Sequence, residues 1–337
     1  LCTGNSTNAH PGQEVDQLSK PILIPRTALV ALVLVVAFQA AGVPALSSDS
    51  LDAETRRQVL VEVADVIRDH YADPEIGRVI ADSIMAHVEL RGADASTDSQ
   101  RLVAEVMGVI RSMVADRHFK LSDRFAEQQE SNSSHHRVRS KHGLQTVKTL
   151  QGQTAYFEFD GFPGDDASLE AVARAIEEQP EMQAVIFDVR DNNGGAGDMV
   201  VLLCNQLIET GVLLYTYAGR PDDAPREVRS STCDRHFGTA IPVYILTSEN
   251  TLSAAEAFTY ILQDLGRAVV VGERTAGMAN PSRTFTIAGH FELTVPFLIM
   301  RYGKSGGTFA GVGVKPDVEV PAESALETAL KRLGRGE

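Results

Sequence analysis

Tryptophan is absent from this chain, and aromatic residues make up only 6% of it. Proteins that grip single-stranded nucleic acid stack its bases on aromatic rings, so that class is a poor fit. Positive charge is also short, with 31 Lys and Arg against 45 Asp and Glu and a formal net charge of −14. Nucleic acid and anionic membrane surfaces both demand a basic footprint, which excludes them as expected partners. Cysteine is scarce, at Cys2, Cys204 and Cys233 alone. No Cys/His spacing marks a zinc site, and neither a metal nor a cofactor is expected. Repeats of solenoid length are missing as well.

What is present is a chain of 337 residues, 43% of them hydrophobic, enough for one large core or two smaller ones. Near the N-terminus, Lys20 and Arg26 precede the apolar run Ala28–Phe38, and Val43-Pro44-Ala45 follows. A basic flank, a short apolar stretch and small residues before a cut describe a signal peptide cleaved after Ala45. Gln39 and Pro44 stop the run short of the ~20 residues that a membrane span needs. Residues 1–17 are polar where a leader is basic, so the start of translation is expected nearer Leu18. An exported chain, periplasmic or extracellular, would keep only Cys204 and Cys233, and one disulfide at most. Cys204 ends the run Val200-Val-Leu-Leu-Cys204 and reads as a buried free thiol.

After the 1–45 leader the pattern divides in three. Residues 46–125 read as a helical N-terminal domain. Val59, Leu60, Val63, Val66 and Ile67 recur at helical spacing, as do Val79, Ile80, Ile84 and Val88. Tyr71–Pro74 and Arg91–Ser96 break the three helices apart. Residues 126–143 read as a polar linker, in which His135, His136 and His142 lack the companions of a metal cluster. From residue 144 to 337, strands alternate with helices, which implies an α/β domain with a largely parallel sheet.

Two stretches carry groups suited to chemistry. A buried strand at Pro242–Leu246 runs into a polar turn, and Ser253 opens an apolar helix. Helix N-terminal amides beside such a serine can hold developing negative charge. Taken alone, Ser253-Ala-Ala-Glu256 reads equally as a capping box. The second stretch, Phe187-Asp-Val-Arg-Asp-Asn-Asn-Gly-Gly195, ends a strand in a glycine turn whose N–H groups can face an anion or an oxyanion. Dinucleotide and Walker spacings are both missing from it. Gly303-Lys-Ser-Gly-Gly307 spells a nucleophile elbow but lacks the strand-to-helix setting. His236 repeats the Asp-Arg-His-Phe context of His118 and reads as solvated.

These pieces fall in the order of a known family. Over about residues 52–322 the sequence resembles the tail-specific (carboxyl-terminal processing) serine peptidases, in the branch with the tricorn core protease and the interphotoreceptor retinoid-binding protein. The resemblance is carried by Asp116-x-His118, by Phe187–Gly195 and by Leu252–Glu256. Gly266–Gly277 and Gly311-Val-Gly-Val-Lys-Pro-Asp317 complete it. It implies a crotonase-like (ClpP-like) spiral catalytic domain preceded by a small helical domain, and a peptide or protein substrate. Met278 stands where the processing branch has a lysine base, so a Ser–Lys dyad is excluded. His118 matches the histidine of the tricorn-like branch, while Arg117 replaces a serine and Ala310 a glutamate of that branch. The implied mechanism is acyl transfer to Ser253, with His118 as general base and acid. Gly194, Gly195 and Ala254 would form the oxyanion hole, and Asp116 would assist His118 or anchor its loop. Glu256 is left as a cap residue. The alternative is a catalytically impaired or non-catalytic relative that binds peptides or apolar ligands on the same scaffold.

Overall fold

A computed structural model describes residues 51–91, 98–124, 140–220, 224–233 and 237–335. The expected leader at 1–45, most of the polar linker with His135 and His136, and His236 lie outside these residues. Three helices lead: α1 (Ala53–His70), α2 (Pro74–Arg91) and α3 (Ser99–Met113). Asp52 and Asp98 cap the first and third, their carboxylates accepting the N–H of Thr55 and of Gln100. Such caps satisfy amides that the helix cannot. The apolar stripe read from the sequence is the buried one, with Val59, Leu60, Val63, Ile67, Ile80 and Ile84 all near zero exposure.

That stripe packs on strands from the far end of the chain. β1 (Lys120–Asp123) follows α3, and its partners β9 (Ser282–Ile287) and β10 (Phe291–Pro296) come much later. The three form an antiparallel sheet in the order β1-β10-β9. Phe119, Leu121, Phe291, Leu293 and Val295 share one hydrophobic cluster with the helices.

The α/β part is a six-stranded sheet in the order β12-β8-β7-β4-β3-β2. Its strands are β2 (Leu144–Leu150), β3 (Thr154–Phe159), β4 (Ala184–Asp188), β7 (Val243–Thr247), β8 (Val269–Gly272) and β12 (Val318–Glu319). All neighbours are parallel except the β2–β3 edge pair, so the sheet is mixed. β4 and β7 are buried at every position, as strands covered on both faces must be, and they therefore read as unbroken apolar runs. One face carries Phe157, Phe187 and Ile245 against α4 (Asp166–Glu177), α5 (Gly197–Asn205) and α6 (Ala254–Asp264). The other carries Tyr156, Ile186, Tyr244 and Leu246 beneath the C-terminal helix α7 (Ala325–Arg335). A small antiparallel sheet, in the order β11-β5-β6, joins β5 (Leu213–Ala218), β6 (Arg226–Arg229) and β11 (Ile299–Tyr302).

Both cysteines within the described residues are free, Cys204 fully buried and Cys233 half-buried. Burial also pushes the Cys204 thiol pKa well up, the setting of an inert packing residue. Among the described residues, no helix is long and apolar enough to cross a membrane.

Candidate active site

The carboxyl ends of β4 and β7 are tied together before either reaches a functional residue. Ser248 donates its hydroxyl to the Arg190 carbonyl, Thr251 donates to Val189 O at 2.8 Å, and the Leu252 amide donates to Asn192 O at 2.9 Å. The chain then turns sharply at Ser253, with φ 51° and ψ −115°. A non-glycine residue in that region carries about 1–3 kcal/mol of strain and persists only where its surroundings enforce it. An N-cap residue ordinarily has extended φ/ψ. Ser253 departs from that, although the Glu256 half of the capping box is made, its carboxylate accepting the Ser253 N–H at 2.9 Å. Helix α6 starts at the next residue.

The glycine turn lies directly against this elbow. Gly194 has φ 82°, and a Cβ built on it would stand 2.7 Å from both the Leu252 carbonyl oxygen and Ser253 Cβ. Gly195 has φ 143°, and its Cβ would stand 2.1 Å from the Phe162 carbonyl oxygen. Only glycine fits either place. One of the three expected oxyanion donors is already engaged: the Gly194 N–H donates to Asn192 Oδ1 at 2.8 Å. Its amide is taken because Asn192, fully buried, closes a two-residue turn onto it. Among the described residues, the amides of Gly195 and Ala254 donate to no protein acceptor. A cavity of about 200 Å³ opens beside the turn, lined by Ser140, Asp160, Phe162, Pro163 and both glycines. Gly194→Ala should lower any hydrolytic turnover at least ~100-fold by pushing the serine off its position. Turnover of the variant, normalised to folded protein by circular dichroism, checks this.

His118 is held from the other side. Beyond the end of α3, Asp116 accepts the His118 backbone N–H on Oδ1 at 2.9 Å, and the same oxygen lies 3.3 Å from His118 Nδ1. That contact is an ion-pair distance without the alignment of a hydrogen bond, since Nδ1 has no hydrogen-bond partner. Long, poorly aligned catalytic bonds are common without substrate and tighten in the complex. Asp116 Oδ2 accepts Asn280 Nδ2 at 2.7 Å, and Asn280 Oδ1 accepts the Met300 amide at 3.0 Å. Burial pushes the Asp116 pKa up, but hydrogen bonds from His118 and Asn280 outweigh it and hold the carboxyl below its ordinary range. Asp116 is therefore a carboxylate at neutral pH. Arg117 is exposed, whereas Asp116 and His118 are both buried.

Ala310 is half-buried against the main core, and its amide donates to Thr308 Oγ1. The adjoining Gly311 touches the histidine loop closely, since a Cβ there would stand 2.6 Å from Ala115 Cβ. Met278 offers its backbone N–H to Glu256 at 2.8 Å. Glu256 is thus more than the cap residue its sequence context suggests. The bond from Asn192 to the turn, Asn280, and this role of Glu256 were not marked by any local motif. Of the remaining candidates, Ser305 lies in a turn after β11 with no helix behind it, and its hydroxyl accepts the Gly307 amide and lies 3.5 Å from the Tyr260 hydroxyl. His142 Nδ1 is 3.2 Å from Ser168 Oγ, a local contact. No group of three or more His, Cys, Asp or Glu placed to hold a metal occurs among the described residues.

Comparison with known proteins bears on the same segment. The model of peptidase family S41 matches residues 153–320. The chloroplastic carboxyl-terminal-processing peptidase 2 of Arabidopsis thaliana is 29% identical over 154 residues, which is 45% of this chain and 29% of that protein. The match therefore spans under a third of that relative's length. Among solved structures, a lipoprotein from Streptococcus agalactiae superposes with a TM-score of 0.56 at 15% identity, covering 88% of this chain and all of the other. The photosystem II D1 C-terminal processing protease gives a TM-score of 0.53 at 14% identity, covering 84% and 98%. At such identities these structures share the mixed α/β fold and no more. Through residues 153–320, the chain belongs to peptidase family S41.

Proposed function

We propose that this protein hydrolyses peptide bonds by acyl transfer to Ser253, with His118 as general base and then general acid. The observation that carries the reading is the strained φ of Ser253 at a strand-to-helix elbow with the Gly194–Gly195 turn pressed against it. A serine that only capped a helix would need neither the strain nor the glycines. His118 takes the hydroxyl proton as Ser253 attacks the carbonyl carbon and returns it to the leaving amine. Gly195 and Ala254 supply the free amides for the tetrahedral oxyanion, each worth about 3 kcal/mol in the transition state. Gly194 shapes the turn without donating. Asp116 supports the imidazolium that forms, in the place where Ala310 leaves the tricorn-like branch's glutamate missing.

The substrate class is a peptide or protein. The parallel strands belong to a crotonase-like spiral in this reading, the three helices form the small domain that brings His118 in, and the chain works after export. No specific observation favours the alternative in which the scaffold only binds peptides or apolar ligands. A fluorophosphonate probe should label one serine, and the labelled peptide should contain Ser253. Labelling elsewhere, or none, would remove the proposed nucleophile. Met278→Leu should leave turnover within a few-fold of wild type, because a thioether accepts no proton and the swap conserves volume. A hundredfold loss with the fold intact would mean that the site lies elsewhere.

A further inference from the structure

Glu256 is fully buried and forms no ion pair among the described residues. A helix-capping glutamate needs one bond, to the amide of the cap residue. This one has four. Oε2 accepts the N–H of Ser253 at 2.9 Å and of Met278 at 2.8 Å. Oε1 accepts the Thr275 hydroxyl at 2.5 Å and the Gly277 N–H at 2.6 Å. Burial pushes its pKa up, against the pull of these four donors.

The groups it joins lead to both halves of the site. Ser253 is the strained elbow itself. The stretch 275–280 leads on to Asn280, whose amide holds Asp116, which in turn lies against His118. The same stretch is locked to the loop beside the histidine. Thr275 Oγ1 accepts the Val314 amide at 2.7 Å, and the Gly277 carbonyl accepts the Gly311 amide at 2.8 Å. One carboxylate thus stands at the junction of the nucleophile turn and the path that reaches the imidazole.

We infer that Glu256 is a positioning residue that keeps Ser253 and His118 in register by clamping the serine amide and the 275–278 backbone on one buried charge. The inference rests on the proposed acyl-transfer reading. Its chemistry requires an ionised carboxylate, because all four partners are donors and only that group accepts on both oxygens. In Glu256→Gln the carbonyl can keep Ser253 and Met278. The amide NH₂ then faces Thr275, whose hydroxyl can turn, and the Gly277 N–H, which cannot. The loop loosens while the serine stays tethered.

The test is the rate constant of fluorophosphonate labelling at Ser253, measured per titratable site, for wild type, Glu256→Gln and Thr275→Val. A displacement of the order of 1 Å at a reacting pair is worth about 100-fold, so Glu256→Gln should label ~100-fold more slowly. Thr275→Val, which removes one donor and the Val314 acceptor without touching the charge, should slow it by about 10-fold. A purely structural role would lower the number of titratable sites and leave the rate per site unchanged. A Glu256→Gln rate within threefold of wild type overturns the inference and leaves Ser253 as nucleophile. Should that variant not fold, a Thr275→Val rate within twofold of wild type overturns it equally. A wild type that is not labelled defeats the proposed nucleophile and the inference with it, an outcome distinct from the other two.

Discussion

Ser253→Ala and His118→Ala should each lower peptide hydrolysis by about 10⁴-fold or more, and the double variant should be no worse than the poorer single one. Nucleophile and base act as one unit: without the hydroxyl there is no proton to take, and without the base the hydroxyl stays unreactive. Such pairs are grossly non-additive, and the activity left over comes from the oxyanion donors and from binding. In the proposed reading the donors are the amides of Gly195 and Ala254, which neither substitution removes. The measurement is turnover of a defined peptide by the three variants, each shown to be folded by its thermal transition. Ser253 is half-buried, so its loss of one oxygen should barely move that transition, whereas His118 is 8% exposed and its removal leaves a small cavity. Losses that simply multiplied in the double variant would mean independent roles, and the acyl-transfer assignment would fail.

The parts of this fold that were legible in the sequence are those whose burial is written into the chain itself. Val185–Phe187 and Val243–Leu246 are apolar runs because the strands are covered on both faces, and the three leading helices show their buried stripe at every third or fourth residue. Three edge strands were not legible. β6 is Arg-Glu-Val-Arg, mostly exposed, and exists because β5 offers it a ladder. β1 is four residues paired with Phe291–Thr294, a partner the local pattern does not announce. β2 exposes most of its length and owes its place to β3. Helix α7 has Ala325, Leu326, Ala329, Leu330 and Leu333 at the right spacing, but its apolar face gains its meaning only from the sheet beneath it.

The candidate site divides in the same way. Ser253, the two glycines and His118 stand in short motifs, and the geometry of the elbow adds to what those motifs imply. What the motifs could not supply is who holds whom. Asn280 reaches Asp116 across 164 positions, and the Asn192 side chain reaches the Gly194 amide within a turn whose letters fit many uses. Glu256 satisfied a local rule so well that the rule concealed three further bonds. Local consistency says that an element will form, not what its side chains meet on the far side.

Asp116→Asn should lower turnover by about 10²- to 10⁴-fold while leaving the fold in place. The substitution keeps an oxygen for the His118 amide, so the loop need not unfold. It removes the negative charge beside Nδ1, and its NH₂ is brought against the NH₂ of Asn280, where two donors meet. The imidazolium formed during acylation then lacks its counter-charge; the same substitution costs up to ~10⁴-fold in the serine-protease triad. The same carboxylate has a pH signature. Its folded pKa is depressed, so the stability it contributes is fully present above the unfolded value and is lost as pH falls through the folded one. Asp116→Asn should therefore flatten the acid limb of the stability curve and leave the neutral region lower but level. Position 310 offers the complementary variant, since the neighbouring Gly311 lies against Ala115. Ala310→Glu should change the wild-type rate by less than about fivefold, because Asp116 already supplies the charge, and should restore at least tenfold in the Asp116→Asn background. Turnover within threefold of wild type for Asp116→Asn would reduce Asp116 to an anchor for its loop. A glutamate at 310 that raised the wild-type rate strongly would show instead that the histidine works without adequate support in the natural chain.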